Sequence, residues 1–145
     1  MTIAELNRRM QAVDIYKLGQ ASVMEHEDEL IKLNQDQLLQ GEKADETQVG
    51  TYKWNSYANQ KYIQNPRAGF GNVDLRKTGA FFNWFYVTLK GRNQFTLSSS
   101  DDKTSGLVSK YDANIFGITP PNSRIAGEQY VQPTLIQKIK DLLFK

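Results

Sequence analysis

The stretch that decides the fold is AFFNWFYVTL, residues 80–89. Its density of aromatic and β-branched residues is typical of a β-strand. Four residues, Lys90-Gly91-Arg92-Asn93, separate it from a second run, QFTLS at residues 94–98. Two such runs joined by a short connection that contains glycine predict an antiparallel β-hairpin.

Apolar side chains occur on both faces of the first predicted strand. Side chains alternate along a strand, so residues two apart share a face. Phe81, Phe85, Val87 and Leu89 fall on or near one face, and the opposite face carries Phe82, Trp84 and Tyr86. We therefore expect this strand to be covered on both sides, as a central strand would be.

Helical patterns precede the hairpin. Thr2-Ile3-Ala4-Glu5 has the spacing of a capping box, which predicts that a helix begins near Thr2. Apolar residues then recur every three or four positions, with an interruption at Gly19, as far as Leu38. Gly41 stands where a helix commonly ends in a left-handed conformation. The first 40 residues therefore predict two helices or one long bent helix.

Two more helices are predicted after the hairpin. The first runs from about Thr104 to Tyr111, and an irregular connection through Pro120-Pro121 follows it. Pro133 suits the first turn of the last helix. The apolar stripe of that helix consists of Leu135, Ile136, Ile139, Leu142 and Leu143. We therefore predict an α+β fold in one domain, residues 1–145, with a small antiparallel sheet packed by amino-terminal helices and a carboxy-terminal helix.

Composition limits the chemistry that the chain can perform. Its 145 residues contain no cysteine and one histidine, His26. Disulfides, thiolate metal sites and multi-histidine metal clusters are therefore excluded, and a Ser-His-Asp triad would have to use this one histidine in a charged helix. We predict no cofactor, no metal and no catalytic site.

The amino terminus lacks the uninterrupted apolar core of a secretory signal, and no stretch of about 18 apolar residues is present. We therefore expect a chain made in the cytoplasm, with no membrane partner.

Charge is distributed unevenly along the chain. The whole chain contains 18 Lys and Arg and 16 Asp and Glu. Residues 1–50 hold five of the basic and ten of the acidic residues, so residues 51–145 hold 13 basic and six acidic residues. Two halves of opposite charge give identical copies complementary surfaces for association, although both halves can also be plain solvated faces.

Residues 42–79 are polar, rich in turns and punctuated by proline and glycine, so we predict a long irregular loop that assembly with a partner orders. Basic and aromatic side chains alternate within it, a composition shared by single-strand nucleic-acid sites and by protein interfaces and equally compatible with plain packing inside the chain. The candidate assembly interface consists of Tyr52, Lys53, Trp54, Tyr57, Lys61, Tyr62, Arg67 and Phe70. A nucleic-acid-binding module that uses residues 51–79 is the alternative hypothesis.

A weaker alternative is a Mg²⁺-dependent nuclease. Asp101 and Asp102 follow the second predicted strand, and paired carboxylates are ligands for Mg²⁺. Adjacent aspartates ahead of a predicted helix are also common at helix starts.

Several segments, in this order, resemble a family of small neck proteins of tailed phages and prophages, described as head-tail connector, tail-completion or virion-morphogenesis proteins. The resembling stretches are LIKLNQDQLLQG (30–41), GTY (50–52), YA (57–58), LRKTGAFF (75–82), SSDDKT (99–104), KY (110–111), NIFGI (114–118) and QPTL (132–135).

The resemblance implies a structural virion protein that forms part of a homo-oligomeric ring joining the DNA-filled head to the tail. Its expected partners are other copies and the neighbouring neck, portal or tail proteins, and its expected location is the neck or tail region of the virion. A neck channel passes genomic DNA, so modest positive charge without sequence-specific contacts is also expected.

Overall fold

The computed structural model describes residues 1–145. The chain forms eight α-helices and one β-hairpin. The elements are α1 (Ile3–Gln11), α2 (Ile15–Glu25), α3 (Glu27–Leu39), α4 (Asn55–Gln64), α5 (Ala80–Asn83), β1 (Phe85–Lys90), β2 (Gln94–Ser99), α6 (Thr104–Tyr111), α7 (Pro120–Ile125) and α8 (Gln132–Phe144), with a π-helical stretch at Ala126–Val131 and 3₁₀ turns at Pro66–Ala68 and Ala113–Ile115.

The predicted hairpin and the α+β fold are confirmed. β1 and β2 pair antiparallel, with Phe85 opposite Ser99 and Lys90 opposite Gln94. The predicted strand nevertheless starts too early, because residues 80–83 form the helical turn α5. This turn buries both Phe81 and Phe82, whereas an extended strand would direct these neighbours to opposite faces.

The expectation that β1 is covered on both sides is wrong. The sheet has only two strands, and Trp84 is 59% exposed, with Tyr86 also exposed. A carboxylate oxygen of Glu27 accepts a hydrogen bond from the Val87 backbone amide at 3.0 Å. The Glu27 side chain thus accepts the hydrogen bond that this β1 amide would otherwise donate to a third strand. The contact protects this edge of the sheet from pairing with another strand.

The amino-terminal region forms three helices rather than two. The predicted capping box is present, since the Thr2 hydroxyl accepts from the Glu5 amide at 3.1 Å and the Glu5 carboxylate accepts from the Thr2 amide at 2.8 Å. Asp14 caps α2 by accepting from the Lys17 amide, so the chain breaks before α2. It breaks again at His26, which separates α2 from α3.

The core lies around α3. One buried cluster comprises Leu38, Val49, Val73, Phe81, Phe82, Phe85 and Ile115, and a second comprises Leu30, Val87, Leu97 and Ala126. α3 supplies a fully buried leucine to each cluster, and Ile31 packs against both. This helix therefore joins the hairpin, the middle of the chain and the carboxy-terminal region into one core.

Two buried amide side chains of α3 bind the backbone that follows α6. Asn34 donates to the Ile115 carbonyl at 3.0 Å and accepts from the Gly117 amide at 2.9 Å. Gln37 donates to the Gly117 carbonyl at 3.0 Å and accepts from the Thr119 amide at 2.9 Å. Residues 115–119 form no strand, so these side chains satisfy backbone groups that would otherwise be buried without partners. We call this set of hydrogen bonds the α3 clamp.

The carboxy-terminal helix is longer than the sequence predicts. Pro120 and Pro121 do not lie in an irregular connection but begin α7, with Thr119 as its amino-terminal cap, and the helical path continues through the π-helical stretch into α8. Two prolines fit there because the first amides of a helix have no partner within it. The expected burial of the α8 stripe is wrong, since no residue of α8 is fully buried and both Ile136 and Leu142 are exposed. α8 packs mainly against α1, α2 and the π-helical stretch, and Ile136 and Leu142 on its other side stay exposed.

An ion pair joins the turn after α3 to the end of α6. The Lys43 ammonium lies 2.7 Å from a carboxylate oxygen of Asp112. Two hydrogen bonds hold the pKa of Asp112 below its ordinary value. The bond from Lys43 has the larger effect, and the bond from the Asn114 amide has the next largest.

None of the helices is long and apolar enough to cross a membrane.

The α3 clamp can be tested by Asn34→Leu. This change leaves the Ile115 carbonyl and the Gly117 amide buried without partners, so we expect the free energy of unfolding to fall by about 2–4 kcal/mol. Gln40→Leu is the control, since Gln40 is exposed at the end of α3 and should change stability by less than about 0.5 kcal/mol. Urea unfolding followed by circular dichroism measures both, and equal effects would contradict the clamp.

The Lys43–Asp112 pair should make the free energy of unfolding depend on pH in the acidic range. A carboxylate whose folded pKa is depressed stabilises the fold above its unfolded pKa, near the ordinary value of 3.8, and loses that contribution as the pH falls through the folded pKa. Wild type should therefore exceed Asp112→Asn in free energy of unfolding at pH 6, and the difference should shrink as the pH falls below about 4. Urea unfolding between pH 2.5 and pH 6 measures the difference; a constant difference would argue against the pair.

Candidate functional site

Residues 42–79, predicted as an irregular loop, contain a ten-residue helix, α4. Isolated bridges pair Glu42 with Gln48 and Thr51 with Asn72, which ties the flanking chain together. The pattern NSYANQKYIQ did not predict this helix because it has no apolar stripe, and only Ala58 and Lys61 are buried in it. The irregular-loop prediction is therefore corrected, while ordering of this segment by a partner stays a prediction.

A buried ion pair fixes α4 to the chain that follows it. The Lys61 ammonium lies 2.9 Å from Asp74 Oδ1, with Lys61 6% exposed and Asp74 1% exposed. Lys61 also donates to the Arg76 carbonyl. Asp74 accepts two further hydrogen bonds at 2.9 Å, from the Asn65 side-chain amide and the Arg76 backbone amide. These bonds satisfy the carboxylate, as a buried charge requires.

Two tyrosines pack beside this ion pair. The rings of Tyr52 and Tyr57 meet edge to face with centroids 4.9 Å apart, and the Tyr52 hydroxyl donates to Asp74 at 3.4 Å. Burial, with the negative charge of Asp74 as a second cause, raises the pKa of the Tyr52 hydroxyl. Tyr52 therefore stays protonated and acts as a donor to the carboxylate.

The structure divides the candidate assembly interface into two groups. Tyr52, Tyr57 and Lys61 lie inside, at least half-buried around Asp74. The outer group, Lys53, Trp54, Tyr62, Arg67 and Phe70, is exposed, and Tyr62 meets Phe70 edge to face at 6.0 Å. The prediction that Lys61 belongs to the interface is wrong, because Lys61 is buried and its ammonium forms an ion pair with Asp74 of the same chain.

A cleft of about 370 Å³ opens beside the inner group. It lies between α4, the loop at residues 75–79 and α6. Its lining comprises Tyr52, Tyr57, Lys61, Val73, Leu75, Arg76, Lys77, Thr78, Gly79, Phe81, Lys103, Leu107, Lys110 and Tyr111. We call it the α4–α6 cleft.

Apart from Lys61, which is paired with Asp74, the cations of the cleft have no acidic partner. The six ion pairs of the chain do not include Arg76, Lys77, Lys103 or Lys110, and the Lys110 ammonium instead lies 5.2 Å from the ring centre of Tyr111. No Asp or Glu is among the lining residues. Unpaired positive charges around a concave surface attract anions.

Sequence reasoning missed the α6 side of this cleft. Arg76 and Lys77 lie in the basic stretch that the composition identified, but Lys103, Lys110 and Tyr111 are more than 20 residues further along the chain. No local pattern connects them to Tyr57. The hairpin reverses the chain and brings α6 to the cleft that α4 also lines, so the folded chain alone creates this juxtaposition.

One carboxylate of the nuclease alternative, Asp101, has a structural role nearby. Asp101 Oδ2 accepts from the Lys103 backbone amide at 3.0 Å at the start of α6. The structure contains no group of three or more His, Asp or Glu side chains that could hold a metal ion. His26, in another part of the fold, shares a hydrogen bond of 2.6 Å with the Thr134 hydroxyl.

No protein family, curated protein or solved structure compared with the chain matches it. Its function must therefore be inferred from its own residues and geometry.

The buried ion pair predicts a large effect of Lys61→Met. This change leaves the Asp74 carboxylate buried without a counter-charge, which should lower the free energy of unfolding by about 3–5 kcal/mol. The double variant Lys61→Met with Asp74→Asn should recover part of the loss, because the uncompensated charge is gone.

Lys53→Met is the matched control for this measurement. Lys53 is exposed and should change stability by less than about 0.5 kcal/mol. Urea unfolding followed by circular dichroism compares the three variants. A small effect of Lys61→Met, equal to that of the control, would show that the pair does not hold α4 in place.

Proposed function

We propose that the chain is a structural subunit of the neck of a tailed phage, part of a ring that joins head to tail, with a role in assembly rather than catalysis. The observation that carries the proposal is that two different parts of the monomer surface expose large apolar side chains. Exposed apolar surface is costly in water and commonly marks a protein interface.

The first surface is formed by α1 and the end of α8. α1 has no buried residue, and Ile3 on it is 88% exposed, with Met10 also exposed. Leu142 and Phe144 at the end of α8 are exposed as well. The Arg9 guanidinium holds the two helices together by donating to the Leu143 carbonyl at 3.0 Å. An amphipathic helix whose apolar residues are this exposed is suited to packing against a neighbour.

The second surface is formed by α4 and the turn after it. Ile63 is 82% exposed, and Trp54, Tyr62 and Phe70 of the same region are exposed too. Tryptophan and tyrosine are enriched at protein interfaces, because each buries a large apolar area and retains a polar group. Three of the five exposed members of the candidate assembly interface, Trp54, Tyr62 and Phe70, belong to this surface.

Two unlike surfaces on one subunit favour head-to-tail contacts. Such contacts repeat from copy to copy and close into a ring when the rotation between copies permits. The acidic first third and the basic remainder of the chain add charge complementarity to this arrangement.

The α3 clamp joins two of the stretches that carry the sequence resemblance. Two of the resembling stretches, LIKLNQDQLLQG and NIFGI, contain both partners of the clamp: Asn34 and Gln37 on one side, and Ile115 and Gly117 on the other. Residues that are 80 or more positions apart in sequence are thus linked in the fold. Two of the stretches that carry the resemblance thus form one contact in the core of this chain, and the resemblance itself is the ground on which portal or tail proteins are proposed as partners.

The neck assignment is tested on purified virions whose genome encodes this chain. Mass spectrometry of purified particles should find the chain in a fixed ratio to the portal subunit. Ile63→Asp should fold like wild type but be lost from particles, because a charge on the apolar surface of α4 opposes burial at an interface. Gln60→Asp is the matched control, since it adds the same charge at another exposed position of α4 and removes no apolar side chain. Absence of the wild-type chain from particles would overturn the neck assignment.

A further inference from the structure

The α4–α6 cleft has the features of a ligand site that the proposed ring contacts do not use. Four cations without acidic partners, Arg76, Lys77, Lys103 and Lys110, line it. They come from two separate segments of the chain. An anion in the cleft would therefore meet cations of both segments, and unpaired cations favour binding because no internal ion pair must first be broken.

Beneath these cations, the cleft presents aromatic and apolar surface. Tyr57 and Tyr111 line it together with Phe81 and Leu107. Gly50 holds Tyr111 in place, since a Cβ atom added at Gly50 would lie 3.2 Å from Cε1 of the Tyr111 ring. The absence of a side chain at Gly50 lets this ring lie directly against the backbone. Tyr57 and Tyr111, which we call the tyrosine wall, are thus partly buried rings, and Tyr111 packs closely against the backbone at Gly50.

The deepest charge of the cleft is already neutralised. Lys61 is paired with Asp74, and the Tyr52 hydroxyl donates to the same carboxylate. The positive charge available to a ligand therefore belongs to the four outer cations, while the interior offers rings. A matching ligand has a flat apolar body and an anionic group at one end.

We propose that the α4–α6 cleft binds a nucleoside phosphate, with the base against the rings of Tyr57 and Tyr111 and the phosphate among Arg76, Lys77, Lys103 and Lys110. The volume of about 370 Å³ lies at the lower end of small-ligand sites, which suits a single nucleotide unit. That unit is either a free nucleotide or part of a single strand. The inference does not depend on the neck assignment.

An acidic peptide is the competing anionic ligand, and the geometry disfavours it. Extended peptides commonly bind by adding a strand to an open sheet edge. No residue of β1 or β2 lines the cleft, so it offers no such edge. Aromatic rings in a cationic groove are instead the usual arrangement for nucleotide bases and phosphates.

Isothermal titration calorimetry of the full chain tests the proposal with four probes: thymidine monophosphate, thymidine, a 5′-phosphorylated oligothymidylate and a polyglutamate peptide. We expect one or both of the phosphate-bearing probes to bind with one nucleotide unit per cleft, and thymidine and the peptide to bind at least about tenfold more weakly, since the charged phosphate and the base both contribute. Binding of the monophosphate identifies a free nucleotide or a strand end as the ligand. Binding of the oligonucleotide alone identifies the interior of a strand.

Two double variants that remove equal charge locate the site. Lys77→Ala with Lys103→Ala should weaken binding by about tenfold, because both ammonium groups line the cleft. Lys53→Ala with Arg67→Ala removes two exposed cations outside the cleft and should change affinity less than about twofold at physiological salt. Circular dichroism confirms that both variants remain folded.

Three results would overturn the proposal. The first is no binding of either phosphate-bearing probe. The second is equal weakening by the two double variants, which would indicate non-specific attraction to the basic surface. The third is binding of polyglutamate that depends on Lys77 and Lys103 and equals or exceeds that of the nucleotides. Each of these readouts uses the isolated chain, so failure here leaves the particle experiment unaffected.

Discussion

Asn34 and Gln37 of α3 hold residues 115–119 through four hydrogen bonds to the backbone. The rest of the fold depends on this clamp, because it attaches the carboxy-terminal region to the helix around which both apolar clusters pack. Residues 115–119 contain no strand, so no regular backbone pairing fixes their position against α3. Buried amides with complete hydrogen bonding specify one position for such a segment, since any shift leaves polar groups unsatisfied.

The Lys61–Asp74 pair has the same role in the middle of the chain. α4 buries little apolar surface, so apolar packing alone does not hold it. The ion pair and the hydrogen bonds from Asn65 and Arg76 to Asp74 attach it instead. The same network reaches the α4–α6 cleft, because Tyr57 of its lining packs against Tyr52, whose hydroxyl donates to Asp74.

The basic aromatic segment, residues 51–79, has an outer side and an inner side that suit two different proposed functions. Exposed apolar and aromatic side chains, with Ile63 among them, lie on the outer side of α4 and suit a protein neighbour. Inner tyrosines and the cations of two segments surround the cleft and suit an anionic ligand with a flat ring. The two surfaces use different residues. Assembly into a ring and nucleotide binding can therefore belong to the same subunit and be examined independently.

Local interactions let the sequence alone determine several elements. The capping box at Thr2, the hairpin, the bounds of α6 at Thr104–Tyr111 and the left-handed Gly41 all depend on residues a few positions apart, so local patterns predicted them. Tertiary structure alone decided the presence of α4, the open face of the sheet at Trp84 and the meeting of Tyr57 with Lys103 and Lys110. Each of these depends on contacts between distant segments, and apolar periodicity carries no information about a helix that an ion pair holds in place.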